Sequence, residues 1–321
     1  MSKIRKNRKV VVTLCDNKFV PQAKQLFSSL YFNAKWSGDC LLLAHNVSEK
    51  KLDWFKKRGV IIKKCKPLFK KNIGFYSPVL TSKIYLFTNE FKKWTNVIYL
   101  DTDIIVRASV DGISNTDNFL ALPEVENKTI LDQFTFDFSN NYKESEKIFS
   151  SLSKQFDLEL PAFNAGVIAF NTKIIKKDTF KNIKKMLYKF GRFCKFGDQG
   201  IQNLYFSSKW SKLQESYNLY PEYISSRYKI NEKKCKGIIL HFVGDSKFLK
   251  PWNVNNPYYK EWKHNLDLSS SIDFRRKIKN NKCAEMVKVL FIKSNILLIK
   301  LKYYFFLLVK KTKIFIKEFY F

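Results

Sequence analysis

The chain has 321 residues, 45% of them hydrophobic and 16% aromatic, enough apolar surface for one large domain or two ordinary ones and too much for a disordered chain. Lys and Arg number 59 against 28 Asp and Glu, a formal charge of +31 that favours phosphates, nucleic acid or an anionic surface, or reflects a lysine-rich exterior alone. The cysteines, Cys15, Cys40, Cys65, Cys194, Cys235 and Cys283, form no C-x-x-C pair; this argues against a zinc knuckle or a disulfide framework and predicts reduced thiols in a cytosolic chain.

The basic start leads into an apolar run too short for the core of a secretory leader, and Asp16 interrupts it. "KVVVTL" (9–14) reads as a strand. "PQAKQLFSSLYF" (21–32) opens with a proline suited to a first helical turn and sets Leu26, Phe27, Leu30 and Tyr31 on one stripe. "CLLLAH" (40–45) is a second strand. "SEKKLDWFKKRG" (48–59) has a Ser able to cap a helix and a Gly able to end it. "VIIKKC" (60–65) is a third strand, "PVLTSKIYLFTNEF" (78–91) a helix and "NVIYL" (96–100) a fourth strand. This alternation predicts a mostly parallel, doubly wound α/β sheet. Further on, "FLALP" (119–123), "AGVIAFN" (165–171) and "GIILHF" (237–242) are strand-like, and "DTFKNIKKMLYKF" (178–190) is an amphipathic helix. From about residue 265 the composition shifts to lysines among large apolar residues. A boundary there divides a domain over 1–264 from a tail over 265–321.

In open α/β sheets ligands bind beyond the carboxyl ends of the strands. Polar clusters fall at such ends here. "VVVTL" runs into Asp16, "VIYL" into Asp101-Thr102-Asp103, and "IIL" into His241. In an extended segment residues i and i+2 share a side, so Asp101 and Asp103 project together with Thr102 turned away. Two close carboxylates repel unless a cation neutralises them. Oxygen ligands suit Mg²⁺ or Mn²⁺, and an imidazole such as that of His241 tilts the choice to Mn²⁺. The competing readings are a solvated surface turn and a core histidine.

Three more clusters follow. In "LPAFNAGVIAFN" (160–171) the small Ala165 and Gly166 let the backbone approach a ligand, and Asn164 offers its amide; an ordinary strand entry fits equally. In "FGDQGIQNLYF" (196–206) Asp198 is either a helix N-cap or, with Gln199, a holder of sugar hydroxyls. In "HFVGDSKFLKPW" (241–252) His241, Gly244 and a lysine are suited to surround a diphosphate.

In this order, "YLDTD", "FNAGVIAFN", "GDQGIQN" and "HFVG…KPW" resemble glycosyltransferase family 8, over roughly residues 9 to 253. The family includes the glycogenins and bacterial lipopolysaccharide α-glycosyltransferases. The resemblance implies a GT-A fold, a UDP-sugar donor, Mn²⁺ (with Mg²⁺ an alternative) and transfer with retention. It implies that Asp101, Asp103 and His241 bind the metal. Asp16 would face the uracil, with Thr13, Leu14 and Phe19 lining the nucleoside pocket. Lys83 and Thr102 would touch the donor. Asn164, Ala165 and Gly166 would contact the donor sugar and ribose–phosphate region, and Gly244 and Lys250 the diphosphate. Asp198 would hold donor-sugar hydroxyls, with Gln199 on the reacting face. The "HFVGDSKFLKPW" stretch is two residues longer than the family's compact form, which leaves Lys247 as the alternative to Lys250. Lys195 stands where glycogenin-like members carry an Asp, which weakens the glycogenin acceptor reading; a glycogenin-like or protein-directed glucosyltransferase stays the alternative. An amide is a poor nucleophile, so same-face attack is expected over a covalent intermediate on Gln199.

The tail, 284–321, sets lysines among Leu, Ile, Phe and Tyr, with Glu285 and Glu318 as its acids. Nothing in it reaches spanning length, "YYFFLLV" included. It suits a helix lying in an anionic membrane interface; the competing reading is a helix packed on the catalytic domain. The expected protein is a peripheral enzyme of the cytoplasmic membrane face, moving glucose or galactose to a lipid-linked glycan such as lipopolysaccharide or lipooligosaccharide. A nucleic-acid-binding protein would explain the charge but not the strand-end acids, and no nucleic-acid signature is present.

Overall fold

The computed structural model describes residues 8–73, 76–244, 246–276 and 281–319, with side chains except those of Lys234 and 310–319. The basic start, Asp245 and residues 277–280, 320 and 321 lie outside the described residues. Lys9–Cys15 (β1), Val20–Phe32 (α1), Asp39–His45 (β2), Glu49–Lys56 (α2) and Ile61–Cys65 (β3) follow the predicted order. Leu26, Phe27 and Leu30 of the α1 stripe are fully buried. Gly59 takes φ +78°, the left-handed turn that a residue after a helix end can require.

The single helix expected over 78–91 is instead one turn, Pro78–Thr81 (α3), followed by 3₁₀ segments at Ser82–Phe87 and Asn89–Lys93. Local hydroxyls explain the difference. Thr81 Oγ1 donates to the Pro78 carbonyl at 2.6 Å and Thr88 Oγ1 to the Tyr85 carbonyl at 2.9 Å, drawing on acceptors of the helical ladder. The tighter winding buries Lys83 together with Ile84, Leu86 and Phe87.

"NVIYLDTDIIV" divides into two strands, Asn96–Leu100 (β4) and Ile104–Val106 (β5), which belong to different sheets. Phe119–Pro123 (β6), Tyr142–Ser153 (α4), Phe163–Asn171 (β7), Thr179–Phe190 (α5), Gln199–Phe206 (α6), Trp210–Lys212 (β8), Pro221–Tyr228 (α7), Ile239–His241 (β9), Tyr259–Leu268 (α8) and Lys282–Phe319 (α9) complete the order. The main sheet runs β3-β2-β1-β4-β7-β6-β8. Only β7 is antiparallel to its neighbours in that sheet, so the sheet is mostly parallel. A separate antiparallel ribbon pairs β5 with β9, Ile104 opposite His241.

Hydrophobic layers cover both faces of the main sheet. On one, α1 and α2 pack over Val11, Leu42, Ile98 and Val167. On the other, the 3₁₀ segments, α5 and α6 pack over Val12, Leu43, Tyr99 and Ile168. The β6–β7 register slips between Ala121, opposite Ile168, and Leu122, opposite Asn164. Residues 165–167 are therefore bulged, which switches the phase of β7 and releases the Ala165 and Gly166 backbone from strand pairing with β6.

The expected boundary after residue 264 falls inside α8. Beyond it Ile272 is buried, and Phe274 meets Phe27 and Tyr31 edge-on. Arg58 donates to the carbonyls of Ser269 and Ser270. The inner side of α9 also packs: Ile292 is buried, Lys300 pairs with Glu215, and Tyr303 meets Tyr228 at 5.3 Å between ring centroids. Its outer side exposes Leu290, Leu297, Leu301, Phe305 and Phe306. Among the described residues no helix is long and apolar enough to cross a membrane.

Candidate active site

β4 ends at Leu100, and the chain turns through Asp101-Thr102-Asp103 into β5. The acids thus sit in a turn between two sheets, not in the extended segment expected from the sequence. Their carboxylates converge nonetheless. Single ligand atoms from Asp101, Asp103 and His241 lie within 4.8 Å of one another. The β5–β9 pairing brings His241 there, since it sets Ile104 opposite His241.

Gly166 makes room for the cluster. A Cβ at that position would lie 2.2 Å from His241 Cε1 and 2.8 Å from Asp101 Oδ2. The sequence reading had the small residues admit a ligand to the backbone. Here Gly166 admits the acid and the imidazole, and its carbonyl accepts from the Asp101 amide at 2.8 Å.

His241 is oriented from behind. Its Nδ1 lies 2.8 Å from Asn218 Oδ1, while Asn218 Nδ2 donates to Asn164 Oδ1 at 3.2 Å. The Asn218 oxygen therefore accepts from a protonated Nδ1, which in the neutral ring leaves the Nε2 lone pair facing Asp103 Oδ1 at 3.3 Å. Lone pairs turned on each other call for a cation between them. Two carboxylates and one imidazole suit a hard to borderline divalent ion, so the donor set fits the metal that the sequence implied.

Two ammonium groups balance the acids. Lys83 Nζ lies 3.1 Å from Asp101 Oδ1 and 3.8 Å from Asp198 Oδ1, and donates to the Ala165 carbonyl at 3.2 Å. Burial would lower the Lys83 pKa; Asp101 and Asp198 outweigh it and hold the ammonium above its usual range. Lys250 Nζ donates to Asp103 Oδ2 and to the Phe242 carbonyl, both at 2.6 Å. Burial would raise the Asp103 carboxyl, but the Lys250 ammonium, joined by the His241 ring when that ring is protonated, holds it well below the usual carboxylate range. Tyr99 donates to Asp101 Oδ1 at 2.6 Å.

Asp198 does not act as an N-cap, since its side chain accepts no capping bond. It is 2% exposed and takes a hydrogen bond from Gln202. Burial pushes its carboxyl up to about 6, against the pull of Lys83 and with the help of Asp101. Gln199 is engaged at both ends of its amide. Oε1 accepts from the Ala165 amide at 2.8 Å, and Nε2 donates to Gln133 at 2.8 Å and to Glu124 at 3.0 Å. Glu124 Oε1 also accepts from Asn164 Nδ2 at 3.0 Å.

The residues expected at the nucleoside lie beyond β1. Thr13 is fully buried and Leu14 nearly so. Asp16 Oδ1 accepts from the amides of Lys18 and Phe19, closing a turn that leaves Phe19 37% exposed. Phe19 meets Trp252 edge-on at 6.2 Å, which joins this turn to the "KPW" segment. Thr102 is partly exposed between the two acids. Gly244 takes φ +89° in the loop after β9, a conformation that favours glycine. Lys250 stands at the acid cluster, whereas Lys247 is exposed. Sequence reasoning missed Glu124 and Asn218. Glu124 ends a strand and shared the signal that singled out Asp16 and Asp101; Asn218 lies in an irregular stretch that offered none.

The family model of glycosyl transferase family 8 matches residues 10–256. The chain belongs to glycosyltransferase family 8. It is 26% identical over 216 residues to glycosyltransferase GlyB of Streptococcus pneumoniae serotype 4, a match spanning 63% of this chain and 46% of that relative. The chain therefore spans less than half the length of that relative. Among solved structures, galactosyltransferase LgtC in complex with donor and acceptor sugar analogues is similar over 82% of this chain and 96% of its own (TM-score 0.58, 18% identity). The bifunctional glycosyltransferase WbbM is similar over 83% of this chain and 50% of its own (TM-score 0.58, 16% identity). These likenesses establish the GT-A fold for this family 8 chain.

Proposed function

We propose that the protein is a retaining glycosyltransferase that moves a hexose, glucose or galactose, from a UDP-sugar to a glycan acceptor. The observation that carries the reading is the convergence of Asp101, Asp103 and His241 within 4.8 Å. Asp101, Asp103 and His241 would hold Mn²⁺, which would supply Lewis-acid neutralisation of a leaving diphosphate. Lys83 and Lys250, beside the same carboxylates, add positive charge on the diphosphate's side, and Gly244 turns the loop that carries Lys250. Asp16 and Phe19 border the nucleoside, with Thr13 and Leu14 behind them, and Thr102 touches the donor from between the two acids. Asn164 and the bulged Ala165–Gly166 backbone face the donor sugar, and Asp198 takes its hydroxyls. Gln199, with its amide engaged at both ends, orients the reacting face rather than attacking it. This supports same-face attack by the acceptor hydroxyl.

The acceptor in this reading is a lipid-linked glycan of the lipopolysaccharide or lipooligosaccharide kind. The enzyme works on the cytoplasmic membrane face, held by the basic, apolar outer side of α9. The support is the exposure of Leu290, Leu297, Phe305 and Phe306 on a helix rich in lysine.

The test is hydrolysis of a panel of UDP-sugars by the full-length chain with and without Mn²⁺. One UDP-hexose is expected to turn over only with the metal, and Asp103→Asn to abolish turnover while the circular dichroism stays native. Absence of both turnover and Mn²⁺-dependent UDP binding would overturn the proposal.

A further inference from the structure

Away from the acid cluster, α9 and the segment after α7 enclose a groove of about 680 Å³, within the range of small-molecule sites. Ile230, Tyr303 and Phe306 contribute apolar walls. Lys229, Lys233, Lys236 and Lys302 line the same groove. Among the described residues none of these lysines has a carboxylate within ion-pair distance, and Lys236 rests over the Phe291 ring at 4.5 Å. A second cavity of about 490 Å³ shares Lys233 and Lys236, and His264 and Lys288 also line it. Glu261 is the one acid among the described residues lining either cavity, and Arg107 is paired with it. Lys233 and Lys236 thus stand between two cavities as ammonium groups with no ion-paired anion among the described residues.

The groove is continuous with the exposed side of α9, since Leu298 and Phe306 belong to both. An occupant must therefore present an apolar chain and a negative charge close together. We infer that the groove binds one anionic phospholipid, its phosphate between Lys233 and Lys236 and one acyl chain along Ile230, Tyr303 and Phe306. The inference deepens the membrane-surface reading of α9 and rests on it for the source of the lipid. It differs in being a stoichiometric site rather than diffuse attachment.

The experiment is native mass spectrometry of the detergent-dispersed full-length chain titrated with dioleoyl-phosphatidylglycerol or dioleoyl-phosphatidylcholine. Sedimentation with vesicles of each lipid is measured beside it. One retained phosphatidylglycerol per chain is expected, held in preference to phosphatidylcholine. An ammonium near an anionic headgroup contributes about fivefold, so Lys233→Gln with Lys236→Gln is expected to reduce retention roughly thirtyfold. Lys233→Arg with Lys236→Arg, which keeps the charge, retains the lipid. Lys181→Gln with Lys185→Gln on α5 removes the same charge far from the groove and leaves retention unchanged. Equal retention by the groove variant, equal loss in the α5 variant, or equal retention of phosphatidylcholine overturns the inference. Sedimentation with anionic vesicles but no retained lipid sinks the groove and leaves the attachment reading standing. A retained lipid without sedimentation does the reverse.

Discussion

Asn218 touches neither acid of the cluster, yet it decides which nitrogen of His241 is free. Replacing it with Ala removes the acceptor for Nδ1–H and the link to Asn164. Loss of such an outer partner typically weakens metal binding about 10- to 100-fold. Isothermal titration of Asn218→Ala with Mn²⁺ is expected to show a loss of that size with the fold retained; unchanged affinity would mean that packing alone holds the ring. Asp198 gives a pH signature in the metal-free chain. Its carboxyl is held up to about 6 by burial, against 3.8 for an ordinary Asp. Between these values the folded chain binds the extra proton, so this group makes stability fall as pH rises from 3.8 towards 6 and level off above. Urea midpoints of Asp198→Asn should lack that component of the slope; identical slopes would show that Asp198 titrates normally. These partnerships also mark what the sequence conceals. The acids at the strand ends were visible because apolar runs led into them. The tautomer-setting Asn218 was not, since an amide in an irregular stretch looks like any turn residue.

At the scale of elements, the strands were legible because each is an apolar run bounded by turn residues. The helix expected over 78–91 was not, because the Thr81 and Thr88 hydroxyls donate locally to the Pro78 and Tyr85 carbonyls. The phase switch in β7 was hidden for another reason: all nine of its residues are buried, so no alternation remained to be interrupted. The change in composition near 265 likewise masked the packed end of the domain. Ile272 and Phe274 lie beyond it; fully burying a side chain such as Ile272 contributes about 1.5–3 kcal/mol, and the partly buried Phe274 adds a share of that. A chain ending at residue 281 is therefore expected to melt cooperatively, and one ending at 264 to melt lower or aggregate. Equal melting temperatures would show that the segment through Phe274 adds nothing.

For the whole molecule, the charge of +31 and the acid cluster belong to different regions. Acids gather at the site, and the exposed lysines of α9 lie among apolar residues. Attachment of the proposed kind has two components that salt separates. Screening shortens from about 10 Å near 0.1 M salt to about 3 Å near 1 M. Sedimentation with anionic vesicles should then weaken but persist, because Phe305 and Leu301 still bury apolar surface. Complete release at high salt would indicate lysines alone.

The turn at 101–103 carries the chain from the main sheet to the β5–β9 ribbon, and His241 returns from that ribbon. An ion gripped by Asp101, Asp103 and His241 is therefore a rivet between two plates as well as a reagent. An ion held at a hundred times its dissociation constant adds about 2.7 kcal/mol to the folded state. That energy would fasten the ribbon, and with it the loop carrying Lys250, to the edge of the main sheet. Departure of the ion would loosen one side of the crevice while leaving the other in place.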